Sequence, residues 1–309
     1  MRHYNNILYV SHGVSNEKEG LKQAVSLARN NDAALKILTL IPKLPEDIVG
    51  YKESFEHSIS ERVQKTLSDV ISELKVGTIE SSIELMTADI PAIDIIKYVL
   101  THGYDIVVKE ASLRNDTSGF EAIDMALLRK CPVPLWLSRP ISKTRTEVKV
   151  AVAVDPESPE DSSEFLAFRM LHFSSSLAEK CNKTLDVISC WDYELENALR
   201  NSIFVKMPAE KVDEKVEERR QTHLTSFQNL VKKAEITCHY ELQHLRGNPT
   251  DTIPDFVKQN NIDILFMGTV ARTAIAGFMI GNTAENIIQQ LPCSLVALKP
   301  HGFVSPVTL

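Results

Sequence analysis

A chain of 309 residues exceeds the usual size of one domain, so two domains of about 150 residues each are expected. With 43% hydrophobic and 24% charged residues it has the make-up of a folded globular protein, and a net charge of −7 excludes any general attraction to nucleic acid or anionic membranes. Cys131, Cys181, Cys190, Cys238 and Cys293 form no C-x-x-C pair and fit reduced thiols serving as small apolar filling. No apolar run approaches the ~18 residues of a membrane span, and MRHYNNILYVSHG is too poor in apolar residues for a signal peptide. The expectation is a soluble, cytoplasmic protein.

In chain order the first half offers NNILYVS, ALKILTL, SSIELMT, YDIVVKE and VPLWLS, short apolar runs bounded by turn residues that predict buried strands. ISKTRTE (141–147) reads as a linker. The second half continues with VKVAVAV, TLDVISC, ITCHYELQ, IDILFMG and CSLVALK. Between these runs the periodicity is helical, as at 17–31 and in the charged stretch 210–233.

The halves repeat one another. LLRKCPVPLWLSRP (127–140) lies over IIQQLPCSLVALKP (287–300), 160 residues apart; PAIDIIKYVLTHGYDIVVK (91–109) matches PTDTIPDFVKQNNIDILFM (249–267) at 158, and LARNNDAALKILTL (27–40) matches LAEKCNKTLDVISC (177–190) at 150. Five strands alternating with helices in each half predict an α/β fold: two doubly wound parallel five-stranded sheets in tandem, over residues 1–142 and 147–309. Any ligand crevice should lie outside the carboxyl ends of the strands, where the strand order switches direction.

GTVARTAIAGFMIGNTAE (268–285) begins at such a strand end. Its glycines, Gly268 and Gly281, would let a backbone loop approach an anion, and Asn282 and Thr283 could cap the following helix or bond phosphate oxygens. On this pattern alone a structural turn and a phosphate loop stand equal. No G-K-[ST] follows, and neither half carries G-x-G-x-x-G after its first strand, so a Walker loop and a dehydrogenase-type dinucleotide site are both excluded.

GTVARTAIAGFMIGNTAENII resembles the G-x2-G-x9-G-[ST/N] nucleotide loop of the universal stress proteins, and the doubled architecture resembles the tandem E-type members. The resemblance implies ATP or another adenine nucleotide in the second half, with magnesium as a possible companion. Asp155, in VAVAVDP, takes the place of the residue that addresses adenine; Cys190, with Trp191 beside it, lines the adenine pocket; Gly268, Gly281 and Asn282 match the loop, with Thr283 next. The motif's second glycine is replaced by Ala271, which costs about 1 kcal/mol where φ must be positive and weakens a site by about tenfold at most without forbidding it. Arg272 could add positive charge toward a phosphate.

The first half departs further. Its first strand ends in Ser11 rather than Asp, and KEASLRNDTSGFEAI holds Gly119 as its single glycine, so this half is expected to be structural or to hold something else. Lys109, closing DIVVK, is a candidate anion contact or a charge emerging at a strand end. Family members commonly pair through their last strands, so VPLWLS and CSLVALK are expected to make the contact between halves, an intramolecular pseudo-dimer; pairing of whole chains into a homodimer stays open.

Nothing in the sequence names a reaction. The nine histidines show no metal-ligand spacing, and His239 and His244, five apart in an expected strand, should face opposite ways. No G-x-S-x-G elbow occurs; Asp251 and Asp255, four apart at a helix start, could share a face, yet acidic residues in a first turn are ordinary dipole partners, and two carboxylates without a substrate pocket name no reaction. AEKVDEKVEERRQTH (209–223) reads as a solvated helix face, and the connections 42–56 and 192–208 are long enough to cover the crevices. The leading expectation is a non-catalytic stress-response protein that binds adenine nucleotide in its second half, with slow hydrolysis of the nucleotide left open. The alternative is a scaffold or carrier that holds an apolar or lipid-like ligand in its crevice instead. Adenylate transfer would need a pyrophosphate loop after a first strand, for which SHGVSN and DPESPE are poor candidates.

Overall fold

This computed structural model describes residues 4–13, 17–111, 119–157, 161–201, 207–269 and 280–309, with backbone alone at 161 and 162. The first half runs β1 (Asn6–Ser11), α1 (Lys18–Asn31), β2 (Ala34–Ile41), α2 (Lys52–Glu73), β3 (Ser81–Thr87), α3 (Pro91–His102), β4 (Ile106–Glu110), α4 (Ala122–Lys130) and β5 (Leu135–Ser138). The second runs β6 (Val150–Ala153), α5 (Asp161–Cys181), β7 (Leu185–Trp191), α6 (Glu196–Asn201), α7 (Ala209–Lys233), β8 (Tyr240–Arg246), α8 (Pro249–Gln259), β9 (Ile264–Gly268), α9 (Asn282–Ile288) and β10 (Ser294–Leu298).

All ten expected strands are present. β8 starts four residues late, at Tyr240, because Glu235 takes a left-handed conformation (φ 50°) after α7 and the chain needs the next few residues to reach the sheet. The connection 42–56 is more regular than expected: a 3-10 turn at Glu46–Tyr51 leads directly into α2.

Within each half the strands are parallel, in the order β3-β2-β1-β4-β5 and β8-β7-β6-β9-β10. The halves do not keep separate sheets. β5 and β10 pair antiparallel, with Leu137 opposite Leu295, Trp136 opposite Val296 and Leu135 opposite Ala297, giving one sheet of ten strands. The chemistry of these strands requires it: LWLS and SLVAL are buried along their whole length, and either would be an apolar open edge if left unpaired. The outer edges, β3 and β8, are instead polar and partly exposed.

The duplication reaches the backbone. Asp32 and Asn182 close α1 and α5 at φ 52°, and Lys75 and Glu235 follow α2 and α7 at φ 49° and 50°. One core lies on the α1, α2, α5 and α7 face of the sheet, the other on the α3, α4, α8 and α9 face, and both run across the seam. The linker is tied down by Lys143 to Asp263 (2.8 Å) and by Glu147, which accepts from the Thr144 backbone N–H (2.9 Å).

Candidate functional site

The strand order turns back between β1 and β4, and between β6 and β9, so the carboxyl ends of those pairs open two crevices. In the second half, Ala153 lies opposite Ile188 and the Val154 N–H donates to the Ile188 carbonyl (3.0 Å). The chain then leaves the sheet at Asp155, exposed, beside Cys190 near the end of β7. Asp155 Oδ1 accepts the Glu157 N–H (3.1 Å), and the Glu157 carboxylate takes both terminal nitrogens of Arg219 (2.6 and 2.7 Å).

Across the crevice, β9 ends at Gly268 opposite Leu298. Thr269, fully buried, donates its N–H to the Leu298 carbonyl and accepts the Gly281 N–H, each at 3.1 Å, which closes the base of the loop between them. Asp155, Cys190, Gly268 and Gly281 are thus gathered at one end of the sheet, with Asn282 and Thr283 exposed at the start of α9. Arg272 and Ala271 lie outside the described residues.

Two details differ from expectation, and a third concerns the chemistry of Cys190. Gly281, not Asn282, is the N-cap of α9, with φ −61° and no side-chain cap, so its conformation is open to any residue. Gly268 is also outside the left-handed region; its lack of a Cβ serves packing, because a Cβ there would stand 3.1 Å from Leu166 Cδ2 of α5. Cys190 is half-buried, and burial pushes its thiol up to about 11, so it is a neutral wall rather than a nucleophile.

The matching crevice of the first half is filled. Val10 faces Leu38 as Ala153 faces Ile188, so the residue two further on, His12, stands in the place of Asp155. The Glu17 carboxylate accepts from the Ser11 hydroxyl and from the His12 N–H (2.9 and 3.1 Å to its two oxygens). Glu110 accepts the Gly20 N–H (2.7 Å). Lys109 is neither an emerging charge nor a free anion contact: it is fully buried, 2.9 Å from the equally buried Asp124 and donating to the Glu110 carbonyl (2.8 Å). Burial is the main cause of three shifts here: the Asp124 and Glu110 carboxyls are raised, and the His12 imidazole is lowered, with Lys109 adding to the last. At the 158-residue offset, Met267 and Gly268 stand where Lys109 and Glu110 do.

The universal stress protein family matches this chain twice, at residues 3–139 and 148–299. The chain belongs to the universal stress protein family. It is 25% identical over 316 residues to "Universal stress protein E" of Photorhabdus laumondii subsp. laumondii, covering 99% of this chain and 98% of that one. It is 27% identical over 319 residues to "Universal stress protein E" of Escherichia coli (strain K12), covering 100% and 98%. Relatives of that name along the whole chain fit the tandem E-type arrangement. Among solved structures, a protein described as functionally unknown from Pseudomonas aeruginosa PAO1 superposes with a TM-score of 0.73 at 22% identity, over 97% of this chain and 94% of that one. A universal stress protein from Archaeoglobus fulgidus does so at 0.64 and 16%, over 96% and 98%.

One cluster of this universal stress protein escapes sequence reading. His223 of α7 and His244 of β8 meet Nδ1 to Nε2 at 3.0 Å, with Ser189 Oγ 3.5 Å from the other nitrogen of His223. Trp191 stacks on His244 (5.6 Å between centroids) and carries the Arg246 guanidinium on its ring (5.4 Å). Burial lowers both imidazoles, His244 to about 4, with His223, Arg220 and Arg219 adding to the shift of His244. Their first-half counterparts are Val63, Leu85 and Thr39, and comparison of the repeats is the one signal that could have drawn attention to them. His239 lies outside β8 altogether. Among the described residues no group of three or more His, Cys, Asp or Glu could hold a metal ion, and no helix is long and apolar enough to cross a membrane.

Proposed function

We propose that this universal stress protein binds an adenine nucleotide, ATP or a relative of it, in the crevice of its second half, and that it acts in a cytoplasmic stress response without catalysing a reaction. Residues 1–142 form the closed, structural unit and 147–309 the binding unit. Asp155 accepts from the adenine amino group or the ribose hydroxyls, and Cys190 supplies an apolar wall. Gly268, Asn282, Thr283 and Arg272 serve ribose and phosphates. The Gly281 N–H is already spent on Thr269, so this glycine contributes by shaping the loop base. Magnesium would enter on the phosphates of the nucleotide.

One observation supports this reading above the rest: at the place where the first half has the buried Lys109 and the half-buried Glu110, the second has Met267 and Gly268, with Asp155 exposed at the same end of the sheet. A strand end that lacks, at these two positions, the charges found in the other half of a duplicated chain is where a ligand fits. Titration with ATP, followed by calorimetry and by melting temperature, is the test. Asp155→Asn is expected to weaken binding about tenfold, the loss of a hydrogen bond to a charged group. A wild-type chain whose melting temperature does not move in millimolar ATP would refute the reading.

A further inference from the structure

The loop that carries Asp155 is tied to α7 through one residue. Glu157 donates its backbone N–H to Asp155 Oδ1 at 3.1 Å, and its carboxylate is gripped by Arg219 at 2.6 and 2.7 Å. Glu157 therefore orients Asp155 with its backbone and is itself oriented from the helix by its side chain. A planar guanidinium meets a carboxylate in a fixed fork, so the contact sets direction as well as distance. The helix is anchored at that level: His223, one turn beyond Arg219, is buried and bonded to His244 of the sheet.

The first half makes the corresponding contact without charge. The left-handed residues after α2 and α7, Lys75 and Glu235, are 160 apart, which puts Ile59 in the place of Arg219. Ile59 is buried against the loop that follows β1; a Cβ built on Gly13 would lie 2.7 Å from its Cγ2. That loop has His12 where the second half has Asp155. The arginine clamp and the carboxylate it orients occur together, in the half that has Met267 and Gly268 where the other has Lys109 and Glu110.

We propose that Arg219 is a positioning residue for nucleotide binding: acting through Glu157, it fixes the direction in which Asp155 meets the adenine or ribose, without itself touching the ligand. This rests on the nucleotide reading above. The test is a double-mutant cycle on ATP affinity with Arg219→Gln, Asp155→Asn and the pair. Arg219→Gln is expected to lower affinity roughly three- to tenfold, and to have no further effect once Asp155 is Asn. Glu157→Gln should give the same pattern and size, and it carries the test should Arg219→Gln fail to fold. Arg219→Lys, a point charge without the fork, should recover only part of the loss. Unchanged affinity in Arg219→Gln and Glu157→Gln overturns the positioning role. So does a loss that persists in full on the Asp155→Asn background, since Arg219 would then act on the nucleotide or on the fold directly. A wild-type chain that binds no adenine nucleotide is a separate result: it overturns the nucleotide reading and takes this inference with it.

Discussion

In the first half, the carboxyl ends of β1 and β4 are occupied by the protein's own charges: Glu17 on Ser11 and His12, Glu110 on Gly20, Lys109 on Asp124. In the second half the same positions around β6 and β9 carry Met267 and Gly268, and the carboxylate present, Asp155, is exposed and turned by a clamp from α7. The contrast shows what closing a crevice in a doubly wound fold demands. The backbone donors and buried volume at the switch point must be satisfied internally, and the charges brought in to do so must satisfy one another. The second half puts its polar investment elsewhere, in Ser189, His223 and His244 between helix and sheet edge, where the first half has Thr39, Val63 and Leu85.

The largest effect should come from breaking the internal charges. Asp124→Ala leaves the fully buried Lys109 amine uncompensated and is expected to cost about 3 kcal/mol or more of stability, read by chemical denaturation. A loss below about 1 kcal/mol would mean that the first crevice is not sealed by this pair.

Next is the histidine pair, which should make the second half acid-sensitive. An unfolded chain takes up a proton on His244 near the ordinary 6.5, whereas in the folded chain burial holds it off until about 4. The unfolded state thus binds more protons inside that window, and stability falls as pH drops from about 6.5 toward 4. The doublet His223→Val, His244→Leu, which copies the first half, should flatten the melting temperature over that range; a profile as steep as that of the wild type would contradict the assignment.

The smallest effect concerns the seam. Lys299, buried and hydrogen-bonded to the Cys131 carbonyl (2.5 Å), has its amine pushed down to about 8 by burial. Below about 8 the amine is charged in both states and carries its burial cost; between about 8 and 10.5 the folded chain releases the proton first, so stability rises with pH. Lys299→Met is expected to gain about 1 kcal/mol at neutral pH, with the gain gone above pH 10.5. A gain that is flat with pH would show that charge burial is not its source.

Much of this was legible in the sequence because of how it is buried. Parallel strands covered on both faces read as continuous apolar runs, which is why IVVKE, ILFMG and SLVAL stood out, whereas the half-exposed edge strand YELQHLR was placed four residues early. The last strands of both halves were readable as the contact between them, although not as the joint of a single sheet. Asp155, Cys190 and Gly268 do gather at one end of that sheet. Lys109 was misread because a lysine closing an apolar strand looks like a charge reaching solvent, and nothing local marks Asp124 as its partner. His223 and His244 are 21 residues apart on different elements, with no motif to join them, and Arg219 was hidden inside a charged run that is mostly solvated.

The difference between the crevices is tested most directly by the number of adenine nucleotides bound per chain, counted by native mass spectrometry across an ATP titration of the wild type and of Asp155→Asn. One nucleotide per wild-type chain, lost or strongly weakened in Asp155→Asn, is the expected result. Two per chain, or one that binds equally well without the Asp155 carboxylate, would show that the first half is open or that the second is not the site.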